Sequence, residues 1–465
     1  MRDAAFLNRL LAWALMALLL ALWLGGGVTR DSTSADEVLE LLSLPVIALA
    51  AWVLAQRGVR DRLQWAGLLT MGLVVLVPVL QLSPWPDGAS GIAWRRQLLA
   101  DLALAGVDHP QLGWSLSPAA TESGLWALLP ALAAFVSAIA LDSEHRRWLV
   151  KWILVLVGLN VAFAFFQAGL PLESPWRLYH GFDPRFGGLF ANTNHHATAL
   201  VIGMVLAFGQ AIHARRRDLA GHGRRGAWLW YAGIAMTCLF LLPLTTSRAG
   251  IALALPALAA AWIACGGLGS RRLRSPRVLA GAAAAMALAF VGIRAALGWL
   301  EVDRVHELRH LISSTTWTLG GAQAPLGSGI GSFVEVFEQG APRRLWLDAY
   351  VNHAHNEYAQ WWLETGWAGM AVLAVALGVL GVAAWRVIRA RGRNGDALLA
   401  GSCLVAIMAV LAHSWADYPL RTLALMATTA ALAGAMLGAL ADVREARTQS
   451  LQRAARHPEG RARPA

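Results

Sequence analysis

The chain has 465 residues, 57% of them hydrophobic and only 14% charged, with a formal net charge of +11. A soluble globular domain carries about 25% charged residues, so an ordinary soluble enzyme is excluded. The excess positive charge does not point to nucleic acid either, because it lies in short loops between apolar runs, where a membrane protein keeps it.

Those apolar runs are long enough to cross a bilayer as helices, which takes about 20 residues. Backbone polar groups cannot stay unpaired in lipid, so such runs must be helical, and the alternation of a membrane barrel is absent. In chain order the spans are predicted at 9–29, 41–56, 63–82, 123–141, 149–169, 194–213, 227–245, 249–267, 278–298, 367–388, 397–414 and 422–441. The expected fold is therefore all-α, a polytopic membrane protein with about twelve transmembrane helices. The first run is read as a retained helix, since it is long and Gly25 to Gly27 matches a cleavage site poorly. Residues 1–297 carry helices one to nine, 298–366 a large loop, 367–441 helices ten to twelve, and 442–465 a basic tail. Cys238, Cys265 and Cys403 all fall inside apolar runs and are expected as small core residues.

Charge sets the orientation. The loops on the side of both termini hold 27 of the 39 Arg and Lys residues but only 9 of the 28 acids. The positive-inside rule puts that side in the cytoplasm and the long loops 81–122 and 298–366 in the periplasm. The expected location is the bacterial inner membrane, with both termini cytoplasmic and the chemistry periplasmic.

Four polar clusters fall on that outer side. The first, Arg185 to Ala197, contains Asn192, Asn194, His195 and His196 at the start of helix six, where asparagines suit a helix cap or a ligand. The second is the hairpin T-T-S-R-A-G, Thr245 to Gly250. Its Arg248 is a permanently charged planar fork suited to phosphate; an interfacial anchor is the alternative. The third lies in the large loop: Arg309, the turn P-L-G-S-G-I-G-S-F with Gly327, Gly329 and Gly331, and H-A-H-N-E-Y from His353. The glycines lack the strand–turn–helix setting of a nucleotide loop, so tight packing is expected of them. His353 and His355 could supply a general base, a metal pair or simply hydrogen-bonded histidines. The fourth is H-S-W-A-D-Y-P-L-R, His413 to Arg421, which includes Asp417. The helix centres carry almost no charge, unlike those of pumps and transporters, which spend ionisable residues there.

Taken in order, G-x-F-x-N-x-N (Gly188 to Asn194), S-R-A-G, P-L-G-x-G-x-G-x-F, H-x-H-N-x-Y-x-Q-x-x-x-E-x-G and H-S-x-x-D-x-P-L-R make the chain similar to the O-antigen ligase and O-antigen polymerase superfamily of bacterial glycosyltransferases. One departure is visible: Ser313 stands four residues after Arg309, where members often carry Trp, and Trp317 lies four further on. The resemblance implies transfer of a glycan from an undecaprenyl diphosphate carrier to an acceptor hydroxyl, without metal, nucleotide or other cofactor. For a ligase the acceptor is the lipid A core, and for a polymerase it is the growing glycan. The stretch Trp114 to Thr121, W-S-L-S-P-A-A-T, is similar to members from exopolysaccharide gene clusters and keeps the polymerase alternative open. The resemblance implies that Arg248 and Arg309 hold the donor diphosphate and that His355 acts on the acceptor hydroxyl. His353, Asn356, Asn192, Asn194, Gly327, Gly329 and Asp417 are expected around the substrates. A transporter of polysaccharide or lipid is the rival from another class.

Overall fold

The computed structural model describes residues 2–29, 34–84, 93–107, 113–171, 173–179, 186–266, 304–346, 351–390 and 394–456. Fifteen α-helices occur among them, and the only β pairing there is an isolated bridge between Pro84 and Gly113. Ten helical stretches are long and apolar enough to cross a membrane: Ala5–Gly25, Ser34–Arg57, Arg62–Leu82, Pro118–Ala140, Ser143–Ala168, Thr193–Leu219, Ala227–Thr245, Glu357–Ala390, Gly395–His413 and Leu423–Arg453. The eleventh expected span is the shorter helix Arg248–Ala264, and the twelfth, 278–298, lies outside the described residues. Many of these helices turn large apolar side chains outward, among them Trp13, Leu41, Leu69, Phe240 and Trp385. Water would make such a surface an aggregation hazard; lipid accommodates it. The protein is a multi-pass α-helical membrane protein.

The chain divides into two compact units, one of residues 1–68, 129–303 and 376–465, the other of residues 69–128 and 304–375. In the larger unit we label α1 (Arg2–Gly25), α2 (Ser34–Arg57), α6 (Leu129–Ala140), α7 (Ser143–Ala168), α8 (Thr193–Leu219), α9 (Ala227–Leu241), α10 (Arg248–Ala264), α14 (Gly395–His413) and α15 (Leu423–Arg456). Helix α8 is its hub, packed against α7, α9, α10 and α14, while α15 packs on α6 and α14. Lipid supplies no hydrophobic drive between helices, so close backbone approach through small residues does that work. A Cβ on Gly434 of α15 would lie 2.3 Å from the Phe135 carbonyl oxygen of α6, and one on Gly209 of α8 only 1.9 Å from Ser402 Oγ of α14. Trp23 of α1 is fully buried against Phe190, and its indole N–H donates to Thr428 Oγ1 at 2.9 Å. All three cysteines are buried thiols, as the sequence implies.

The smaller unit takes in most of α3 (Arg62–Leu82), then α4 (Ala93–Leu104), α5 (Pro118–Trp126), α11 (Arg304–Ala322), α12 (Phe333–Gly340) and the first part of α13 (Glu357–Ala390). The large loop is thus substantially helical, with its own apolar core. Ile312 of α11 packs there with Phe333, Val336 and Phe337 of α12 and with Ala354, Ala359 and Leu363 at the start of α13. The helix expected to begin at 367 begins ten residues earlier. Gly366, at φ 56° and ψ −147°, interrupts it, so an apolar scan sees only the stretch beyond the break.

Candidate active site

In the larger unit the polar motifs gather at one end of α8 and α14. Asn192 caps α8, its side chain accepting from the Asn194 N–H at 2.9 Å. Its amide nitrogen lies 3.3 Å from both carboxylate oxygens of Asp417. Asp417 is fully buried; it accepts from the Tyr418 N–H at 2.9 Å and stands 3.9 Å from His195 Nε2. His195 also meets the Tyr418 ring edge-on, and His413 Nδ1 is 2.8 Å from Thr198 Oγ1. A buried carboxylate beside an imidazole and an amide can hold or move a proton, or orient a polar substrate.

The T-T-S-R-A-G hairpin lies beside this cluster, because a Cβ on Gly250 would come within 2.7 Å of Ala197 Cβ on α8. Its shape is local chemistry. The Thr245 hydroxyl donates to the Leu242 carbonyl and accepts from the Ser247 N–H, Thr246 takes a left-handed φ of 55°, and Ser247 caps α10 by accepting from the Gly250 N–H. Arg248 is therefore the first residue of α10, half-buried. A cation there opposes the helix dipole, which favours negative charge at that end. An anion at this corner would meet both the guanidinium and the positive end of the helix.

In the smaller unit the glycine turn and the histidine motif hold each other. Ser328 N–H donates to the Leu363 carbonyl and Gly329 N–H to the Glu364 carbonyl, both at 2.9 Å, while Trp367 N–H donates to the Pro325 carbonyl. Gly327 and Gly329 take φ of 78° and 108°. A Cβ on Gly327 would sit 2.6 Å from the Glu364 oxygen, and one on Gly329 would sit 2.1 Å from Ser115 Oγ. Their N–H groups are spent on the carbonyls of Gln323 and Glu364, so this turn fastens backbone to backbone. The stretch Trp114 to Thr121 docks on the same turn. Trp114 Nε1 donates to the Leu326 carbonyl, Leu116 N–H to that of Ser328, and the Thr121 hydroxyl to that of Ile330. Gln81 closes the group by donating to the Glu364 carbonyl and accepting from the Ile330 N–H.

Asn356 caps α13, accepting from the N–H groups of Tyr358 and Ala359 at 3.0 and 3.1 Å. Two residues that sequence reasoning did not assign hold the loop before it. Gln360 Nε2 donates to Glu364 Oε1 at 2.9 Å, which fixes the amide's orientation, since a carboxylate can only accept. Gln360 Oε1 then accepts from the Ala354 N–H and faces His353 Nδ1 at 3.3 Å. That oxygen also only accepts, so a hydrogen bond between the two requires the proton on His353 Nδ1. His355, half-buried, is held at a φ of 49°, a left-handed conformation that non-glycine residues adopt at a cost and that gathers at functional sites. The periodicity of the motif was the available signal, because Asn356, Gln360 and Glu364 recur every four residues on one helix face. Arg309, Ser313 and Trp317 likewise share one face of α11, and Trp317 packs on the core beneath the histidine loop.

The expected site residues thus fall into two sets. Arg248, Asn192, Asn194 and Asp417 belong to the larger unit, and Arg309, Gly327, Gly329, His353, His355 and Asn356 to the smaller. Among the described residues no three His, Cys, Asp or Glu side chains converge as a metal site would require. The helices define a multi-pass membrane protein with a cluster of polar side chains at one end of its larger unit. The family model described as O-antigen ligase matches residues 233–374, a stretch holding Arg248, Arg309, the glycine turn, both histidines and Asn356. Asn192, Asn194 and Asp417 lie outside that match. No curated protein matches the chain.

Proposed function

We propose that the protein is a glycosyltransferase of the O-antigen ligase type. It moves a polysaccharide or oligosaccharide from undecaprenyl diphosphate to a hydroxyl of the lipid A core on the periplasmic face of the inner membrane. The ligase-family match over residues 233–374 of a multi-pass chain carries this reading. Polymerisation of carrier-linked repeat units is the second reading, kept because the Trp114 to Thr121 stretch docks directly on the glycine turn.

In the proposed reaction the acceptor oxygen bonds to the anomeric carbon as the carbon–oxygen bond to the diphosphate breaks. Undecaprenyl diphosphate leaves with the electron pair, and the hydroxyl proton passes to an imidazole. Arg248 and Arg309 are assigned to the diphosphate, whose developing charge a guanidinium fork stabilises. His355 is assigned as the base, with His353 orienting it. Asn356, Gly327 and Gly329 hold the loop geometry on which that base depends, and Asn192, Asn194 and Asp417 contact the glycan. The chemistry is proposed to need neither metal nor nucleotide.

A strain lacking the gene tests the proposal. Uncapped core with full-length glycan left on the carrier supports a ligase, a single repeat unit on the acceptor supports a polymerase, and unchanged glycan overturns both. Purified protein with a carrier-linked donor should keep its activity in excess EDTA, whereas loss in chelator with recovery on zinc would make the histidines ligands. Reporter fusions after Arg225 should read cytoplasmic and fusions within 310–346 periplasmic; a cytoplasmic reading for the latter removes the proposed site from its substrates.

A further inference from the structure

At the arginine-rich end of the larger unit five arginines have acidic partners. Arg146 and Arg60 pair with Asp442, Arg386 and Arg444 with Asp61, and Arg147 with Asp396. Lys151, Arg217 and Arg224 are among the basic residues that pair with no carboxylate among the described residues. All three line one open cavity of about 660 Å³ between α7, α8, the turn after α8 and the start of α9. Arg147 borders the same space, Trp148 and Tyr231 form part of its wall, and Glu144 is the one acidic residue in that lining.

The site is built before any ligand arrives. The turn from α8 to α9 is knitted by the Arg217 guanidinium on the His222 carbonyl at 3.0 Å, by the His222 N–H on the Arg217 carbonyl at 2.9 Å, and by the Gly226 N–H on Asp218 at 3.1 Å. Arg147 is fixed from behind by Asp396 and Ser143. Arg147 and Arg217 are thus held in place beside the volume that Lys151 and Arg224 also line. Like charges so placed raise the local potential and favour an anion that spans them. The volume suits a headgroup-sized ligand.

We infer that this cavity binds the phosphodiester headgroup of an anionic phospholipid from the leaflet at the arginine-rich end. Two observations favour a lipid over a solute. The cavity sits at the ends of three membrane-spanning helices, where headgroups lie, and its walls carry Trp148 and Tyr231, residues that settle at that depth. Basic pockets between spans at this depth recognise phosphate headgroups by the same charge logic.

Native mass spectrometry of the full-length protein released from nanodiscs tests this. With phosphatidylglycerol in phosphatidylcholine, phosphatidylglycerol should stay bound. The variant combining Lys151→Ser, Arg217→Ser and Arg224→Ser should retain it about tenfold less. These side chains are exposed, and the turn that gives up the Arg217 guanidinium bond keeps the His222 and Gly226 N–H bonds, so the variant should elute and unfold as the parent does. Equal retention of phosphatidylcholine, or undiminished retention by the variant, would overturn the inference. Thermal stabilisation by inorganic phosphate in lipid-free detergent equal to that by phosphatidylglycerol would assign the anion to solution and overturn the lipid assignment.

Discussion

At the basic ends of α2, α7 and α15, buried charge is matched almost group for group. Fully buried Arg146 meets Asp442 and the Leu141 carbonyl, and Asp61 sits between Arg386 and Arg444. At the opposite ends of α8 and α14, fully buried Asp417 meets the Asn192 amide at 3.3 Å, the His195 imidazole at 3.9 Å and the Tyr418 N–H at 2.9 Å. The first arrangement fixes its protonation, because a guanidinium is always charged. The second places a carboxylate, an amide and an imidazole within reach of one another, groups that can both donate and accept hydrogen bonds. The first fastens helices; the second is the cluster to which the proposed function assigns glycan contacts.

The largest expected effect tests the fastening end. Asp442→Ala strands buried Arg146 without its carboxylate, and breaking a buried pair costs about 3–5 kcal/mol. Its thermal unfolding in detergent should fall by many degrees, and a change within error would show that Arg146 relaxes to water. Asp417→Asn keeps the shape and one acceptor oxygen but removes the charge, so it should lose glycan transfer while unfolding near the parent temperature; the reverse pattern would reduce that end to scaffold.

Next come the proposed reacting groups. His355→Ala should lower transfer by on the order of 10²-fold, and Arg248→Lys, which keeps charge but not the fork, should lower it steeply while the protein still inserts. Parent rates for both would remove them from the reaction. Gln360→Leu should have a smaller effect, about tenfold, because it frees the His353 tautomer without deleting a reacting group. An accompanying shift in the pH profile distinguishes positioning from simple loss of fold.

The smallest effect is one of pH. Burial disfavours the charged form of Asp61, but the hydrogen bonds and charges of Arg386 and Arg444 outweigh it and hold the carboxyl below its usual range. Its stabilisation is therefore complete above the unfolded value of about 3.9 and is lost as pH falls through the lower folded value. Asp61→Asn should be less stable than the parent at neutral pH, and the gap should close in acid. A constant gap would mean that this carboxylate contributes by shape alone.

The sequence by itself determined the all-α membrane class and the location of most spans, because lipid leaves a hydrophobic run of that length no alternative to a helix. It also picked out the S-R-A-G hairpin, whose caps and turns are local, and the start of α13 at its Asn356 cap lay within a motif already singled out. It did not reveal that residues 304–346 are largely helical, since α11 and α12 bury their apolar faces against each other and the start of α13. Nor could it pair Gln81 and Trp114 with the glycine turn, more than 200 residues away, through backbone groups that every residue possesses. Which arginines find a carboxylate and which stand unpaired around a cavity was likewise decided by tertiary structure. Helix packing alone brought Asp442 to Arg146 and left Lys151, Arg217 and Arg224 facing one another across open space.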